Sequence, residues 1–198
     1  MRIKICGLFR DEDIDYVNEA KPDYAGFVFA QSSRQVSPVL AQYLRFRLAD
    51  GIIPVGVFIN APIALITELY HNSVISIAQL HGDEDGSYIQ ALKKACGRKT
   101  FPVIKAFKCS SDSWLKNIPV NADYILLDSG AGSGKSFNWE TIKSKMIEKP
   151  WFLAGGINIK NIEKAMEQNP YAVDVSSGAE TDGIKDREKI LQLVSMCR

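Results

Sequence analysis

Two stretches could do chemistry. Tyr124–Asp128 is a short apolar run, YILLD, that ends in a single carboxylate and breaks at once into a loop carrying Gly130, Gly132 and Gly134. A β-branched apolar run of this length reads as a buried strand. Glycines let backbone N–H groups turn toward an anion without steric penalty. The order is therefore strand, acid, phosphate-sized cradle, helix. The second stretch is Arg2–Cys6, a β-rich run ending in a thiol beside Gly7. Taken alone, Asp128 serves equally as a helix cap or turn former, and the glycines as a connector. A nucleotide-hydrolase phosphate loop would need Gly, four residues, then Gly-Lys-Ser/Thr. Counting back from Gly134-Lys135-Ser136 places Ser129 where that glycine should stand, so the spacing misses by one.

Other candidates sit at comparable places. Cys6 is either a small buried hydrophobe or a group whose pKa is lowered by cations and helix N-termini. Arg34 is either a solvated loop charge or a fork suited to a carboxylate held bidentately. His81 fits a structural histidine as well as a substrate contact. Gly155-Gly156 and Ser177-Gly178 follow two late strands, where backbone N–H groups and a helix N-terminus would receive phosphate.

The elements that must position these groups come from the alternation of the chain. Strands are expected at Arg2–Cys6, Tyr24–Phe29, Ile52–Ile59, Ile75–Leu80, Phe101–Phe107, Tyr124–Asp128, Trp151–Ala154 and Ala172–Val175. Helical spacing follows each, with Ser37-Pro38, Asn60, Ser87, Asn138, Asn158 and Asp186 as expected starts and a short helix around Trp114. Strict alternation implies a parallel sheet with helices outside. An open doubly wound sheet and a closed (β/α)8 barrel both satisfy the pattern. Eight regular units, and no Gly-x-Gly-x-x-Gly after the first strand, favour an α/β fold with one (β/α)8 TIM barrel over residues 1–198. In that barrel the first and sixth strands lie three steps apart, so Cys6 and Asp128 face one another across the mouth. A base and an acid flanking a substrate suit an isomerisation or elimination, with Cys6 shifted down toward thiolate and Asp128 up toward the acid.

Composition bounds the rest. The 198 residues are 46% hydrophobic and 24% charged with a net charge of +1, which gives no basic surplus for nucleic acid or an anionic membrane. No run has the length of a signal peptide or membrane span, so the cytoplasm is expected. Cys6, Cys96, Cys109 and Cys197 form no Cys-x-x-Cys pair, and no metal is indicated. Nothing calls for an obligate protein partner.

The motifs taken together resemble the phosphoribosylanthranilate isomerase family. They are Lys4–Gly7, Gly26–Phe29 with Ser33-Arg34 and Ser37-Pro38, Gly56–Phe58, Gln79–Gly82, Leu127-Asp128, Gly132–Lys135 with Phe137–Trp139, Ala154–Gly156, Asp174–Gly178 and Lys185-Asp186. The resemblance implies a cofactor-free Amadori rearrangement of a phosphorylated small molecule. Asp128 would be the general acid that opens the ribose ring, and Cys6 the base at C2′. Arg34 would hold the anthranilate carboxylate, and backbone around Gly134, Gly155-Gly156 and Ser177-Gly178 the phosphate. His81 is placed among the substrate contacts. The family more often has Asp where Asn138 stands and Val where Ala179 stands, and the loop between Asp128 and Gly132 is short. The nearest rival is the histidine-pathway isomerase, which uses Asp at the end of its first strand; here that residue is Cys6. Indole-glycerol-phosphate synthase is a more distant rival, and a catalytically silent phosphate-binding barrel belongs to another class.

Overall fold

A computed structural model describes residues 1–97, 101–108, 121–128 and 148–198. The expected helix near Trp114, the helix start at Asn138 and the cradle glycine Gly134 lie outside the described residues. Eight parallel strands close into a barrel in chain order: β1 (Arg2–Cys6), β2 (Tyr24–Val28), β3 (Ile53–Phe58), β4 (Ile77–Leu80), β5 (Val103–Lys108), β6 (Tyr124–Asp128), β7 (Trp151–Ala154) and β8 (Ala172–Val175). The outer helices described are α1 (Asp11–Ala20), α2 (Pro38–Arg47), α3 (Ile63–His71), α4 (Gly86–Ala95), α5 (Ile162–Met166) and α6 (Arg187–Met196). A short hairpin, β9 (Glu180–Thr181) and β10 (Ile184–Lys185), stands between β8 and α6.

Side chains on a strand alternate between its two faces. The outward set, including Ile3, Ile5, Ile125, Leu127, Val173 and Val175, packs in the core shared with the helices. The inward set fills the barrel with Tyr24, Val55, Ile104, Leu126 and Phe152. Alternation from these anchors turns Lys4, Cys6, Asp128 and Asp174 inward. At the N-terminal end Phe152 meets Tyr24 edge-on at 5.4 Å and Tyr171 at 5.8 Å, and the Arg2 guanidinium lies 4.3 Å from the Tyr171 ring. This aromatic floor leaves the C-terminal end as the mouth.

Caps explain three helix starts. Ser37 accepts from the Leu40 N–H at 3.1 Å with Pro38 next in line, and Asp186 accepts from Lys189 N–H at 3.1 Å, both as expected. Before α4 the cap is Asp85, two residues ahead of Ser87, accepting from Tyr88 N–H at 2.9 Å. Two expected starts are corrected. Asn60 does not cap α3; it takes a left-handed conformation (φ 50°) and exchanges hydrogen bonds with Asp83 in the neighbouring loop after β4. Asn158 does not open a helix directly. Its Oδ1 accepts from Lys160 N–H while Asn161 donates to the Gly156 carbonyl, and that asparagine turn delays α5 to Ile162.

Candidate active site

Cys6 ends β1 and Asp128 ends β6, and their shared inward orientation brings both to the mouth from opposite sides of the ring. Below Cys6, the fully buried Lys4 ammonium pairs with Asp174 at 2.9 Å, through the register that sets Lys4 beside Asp174 on β8. The neighbouring Gly26 is needed for space: a Cβ there would sit 2.7 Å from Cys6 Sγ. The expectation of a lowered thiol pKa is corrected. Burial pushes the Cys6 thiol up, and the opposing pull of Lys4 and Lys185 does not overcome it. A buried thiol loses water that would solvate its anion, and the Lys4 charge is already shared with Asp174.

Arg34 lies in the loop after β2, with its stem against Gly7. A Cβ on Gly7, which has φ +83°, would stand 2.5 Å from Arg34 Cδ. The residue after Cys6 must therefore be glycine on both conformational and steric grounds. The guanidinium is not simply open to a ligand. Its Nε and Nη2 donate to Glu180 Oε1 and Oε2 at 2.6 and 2.5 Å, a carboxylate that sequence reasoning passed over. Lys185 also donates to Glu180, and to the Ser176 carbonyl at 3.2 Å. The signal for this cluster was present in Glu180 and Lys185, but nothing in the chain order ties them to Arg34.

On the far side, His81 Nε2 is 3.4 Å from Asp128 Oδ2 and its Nδ1 is 3.4 Å from Gln79 Nε2. His81 thus lies against the proposed acid, rather than standing alone as a substrate contact. Beside it a cleft of about 720 Å³ opens at the rim, lined by Asn60, His81, Glu84, Lys105 and Phe107 among others. Lys105, whose role the sequence left open, is buried in that wall. Its ammonium donates to the Gly82 carbonyl at 2.6 Å and pairs with Glu84 at 3.1 Å. Glu84 also accepts from the Asn60 and Gly82 N–H groups, so Lys105 and Glu84 pin the loops after β3 and β4.

The loops after β7 and β8 meet. Gly155 and Gly156 both have positive φ (96° and 67°), and Ser177-Gly178 opens a single 3-10 turn through Ala179. A Cβ on Gly178 would overlap the Ile157 carbonyl oxygen and lie 2.9 Å from Asn158 Cα. Only glycine allows this approach, which gathers four of the residues expected to hold phosphate into one corner. Three clusters therefore surround the mouth: thiol with guanidinium, carboxylate with imidazole, and paired glycine loops.

The family model for N-(5'phosphoribosyl)anthranilate (PRA) isomerase matches residues 3–196. An N-(5'-phosphoribosyl)anthranilate isomerase of Endomicrobium trichonymphae is 44% identical over 203 residues, spanning 100% of this chain and 98% of that relative. The Clostridium acetobutylicum enzyme of the same name is 44% identical over 206 residues with the same coverage. The crystal structure of a phosphoribosyl anthranilate isomerase from Thermus thermophilus has a TM-score of 0.84 at 32% identity, covering 100% of this chain and 98% of its own. Another such isomerase, crystallised with reduced 1-(o-carboxyphenylamino)-1-deoxyribulose 5-phosphate, has a TM-score of 0.78 at 30% identity, covering 98% of this chain and 97% of its own. An acid and a thiol over a closed barrel mouth, a glycine corner after β7 and β8, and likeness over nearly every residue all lead to one family: this chain belongs to the N-(5'-phosphoribosyl)anthranilate isomerases.

Proposed function

We propose that this chain converts N-(5′-phosphoribosyl)anthranilate to 1-(2-carboxyphenylamino)-1-deoxyribulose 5-phosphate, a step of tryptophan biosynthesis, with Asp128 and Cys6 as acid and base. The observation that carries the residue assignment is their inward placement at the ends of β6 and β1. The Asp128 carboxylic acid protonates the ribose ring oxygen as the C1′–O bond breaks, and the anilino nitrogen supplies the electron pair for a C=N iminium. The Cys6 thiolate then takes the C2′ proton, leaving an enolamine that tautomerises to the ketone. Every atom of the substrate is retained, as an isomerisation requires.

In the free protein burial and Asp174 outweigh the cations near Cys6, so the thiolate that takes the proton is the minor form. Lys4, Lys185 and Arg34 all favour a negative sulfur, against burial and Asp174. A phosphate in the glycine corner anchors the far end of the substrate on backbone donors. Arg34 holds the anthranilate carboxylate, and His81 sits beside Asp128 at the ring-opening end. The partner is a phosphorylated small molecule. Cys6, Cys96 and Cys197 are all unpaired, which suits a reducing compartment such as the cytoplasm.

The test is decay of substrate fluorescence with freshly made phosphoribosylanthranilate, run beside the histidine-pathway aminoaldose. Turnover of the first with little of the second is expected. Turnover of the second alone would move the chain to the rival activity, and turnover of neither would leave a silent barrel.

A further inference from the structure

Arg34 already has a carboxylate on it, which raises the question of how it serves a second. A guanidinium offers two bidentate edges, the side edge formed by Nε and Nη2 and the terminal edge formed by Nη1 and Nη2. Glu180 takes the side edge, with Oε1 2.6 Å from Nε and Oε2 2.5 Å from Nη2. Nη1 makes no hydrogen bond to any described residue, and the second Nη2 hydrogen is equally uncommitted.

We infer that Glu180 is a positioning residue for substrate recognition: by gripping the side edge of Arg34 it presents the terminal edge to the carboxylate of the substrate's aromatic ring. This rests on the reading that Arg34 receives that carboxylate.

The scaffold around Glu180 is built to hold it still. It belongs to the β9–β10 hairpin, where it is paired in register with Lys185. Lys185, whose side chain is fully buried, donates to Oε1, and Lys189 donates to the Glu180 carbonyl at 2.6 Å. Burial pushes Glu180 up, but Arg34 and Lys185 outweigh it and hold its carboxyl below the usual range, so it is anionic at neutral pH. Two basic side chains face this one carboxylate: burial lowers the Lys185 pKa against the pull of Glu180, whereas the bond to Glu180 secures the Arg34 charge that meets an incoming anion. The Arg34 stem has little room on its other side, where it runs against Gly7. Without Glu180, a long flexible side chain would have to be ordered by the substrate itself, at the expense of affinity.

The measurement uses two stable ligands: the reduced product analogue, with its ring carboxylate, and the same phenylamino-deoxyribitol phosphate lacking that carboxylate. The ratio of their dissociation constants reads the carboxylate preference alone. In Glu180→Gln that preference should fall about 10–100-fold, the range expected for losing a charge-assisted bidentate contact, while binding of the des-carboxy ligand stays near wild type. Glu180→Asp should restore part of the preference. Arg34→Ala should lose it entirely, and adding Glu180→Gln to Arg34→Ala should change it no further.

A wild-type preference in both Glu180 variants, with Arg34→Ala losing it, would overturn the inference and leave the Arg34 reading standing. Equal weakening of both ligands in Glu180→Gln and Glu180→Asp, together with a lowered melting temperature, would reduce Glu180 to a purely structural staple. A preference that survives Arg34→Ala would remove the Arg34 reading and the inference with it.

Discussion

Replacing Gly178 with alanine should move the phosphate corner by a predictable amount. The new Cβ would overlap the Ile157 carbonyl oxygen and lie 2.8 Å from its carbon and 2.9 Å from Asn158 Cα. These are backbone atoms, so no side chain can rotate away. Restoring ordinary contact with that oxygen, at about 3.5 Å, needs a separation of the two loops by roughly 1.5 Å, and overpacking of this kind typically costs about 1–3 kcal/mol. For a domain of this size that corresponds to a fall in Tm of about 2–12 °C. The same shift takes backbone donors near Gly156 and Ser177 out of hydrogen-bonding reach of a common anion. Hydrogen bonds to a charged acceptor are each worth about 1.5–3 kcal/mol, so losing one should raise KM about 10–100-fold. The assay pairs thermal melting with KM for phosphoribosylanthranilate and the inhibition constant of inorganic phosphate, which probes the corner alone. A lowered Tm with KM and phosphate inhibition both unchanged would refute the placement of phosphate between these loops.

Two further outcomes follow from the groups around Cys6. Because burial raises the free enzyme's thiol, its alkylation by iodoacetamide, read at the peptide level, should climb with pH past the ordinary thiol range. Lys4→Met should push that profile higher still, whereas a rate already at its plateau near neutral pH would contradict the desolvated environment. Lys4→Met also strands the buried Asp174 carboxylate and should cost about 3–5 kcal/mol in a denaturant titration. An unchanged midpoint would count against that pair, and Lys4→Met with Asp174→Leu should recover most of the loss.

The strands were legible because each is a short apolar run bounded by turn residues, and the ends of β1, β6, β7 and β8 agree with the sequence reading to the residue. Position around a ring then follows from chain order, which is how Cys6 and Asp128 could be opposed before any coordinate. What stayed hidden depends on contacts that chain order does not encode. Arg34 and Glu180 are 146 residues apart, and nothing local in either marks a bidentate pair. Asn60 looks like a helix cap by type, but its side chain bonds with Asp83 and its N–H donates to Glu84, so it never caps α3. Asn158 is similar, since the competing asparagine at 161 converts an apparent helix start into a turn. The direction of the Cys6 shift was missed for a related reason. Desolvation depends on everything packed over the thiol, whereas sequence shows only its neighbours along the strand.

The central claim, that one thiol and one carboxyl group move the protons, is tested most directly by single-turnover kinetics of Cys6→Ala and Asp128→Asn alongside their affinity for the reduced product analogue. A positioned acid or base contributes about 10²–10⁴-fold, so each variant should lose that much in rate while its dissociation constant stays within a few-fold of wild type. A rate near wild type in either variant, with the substrate still consumed to the same product, would contradict the account.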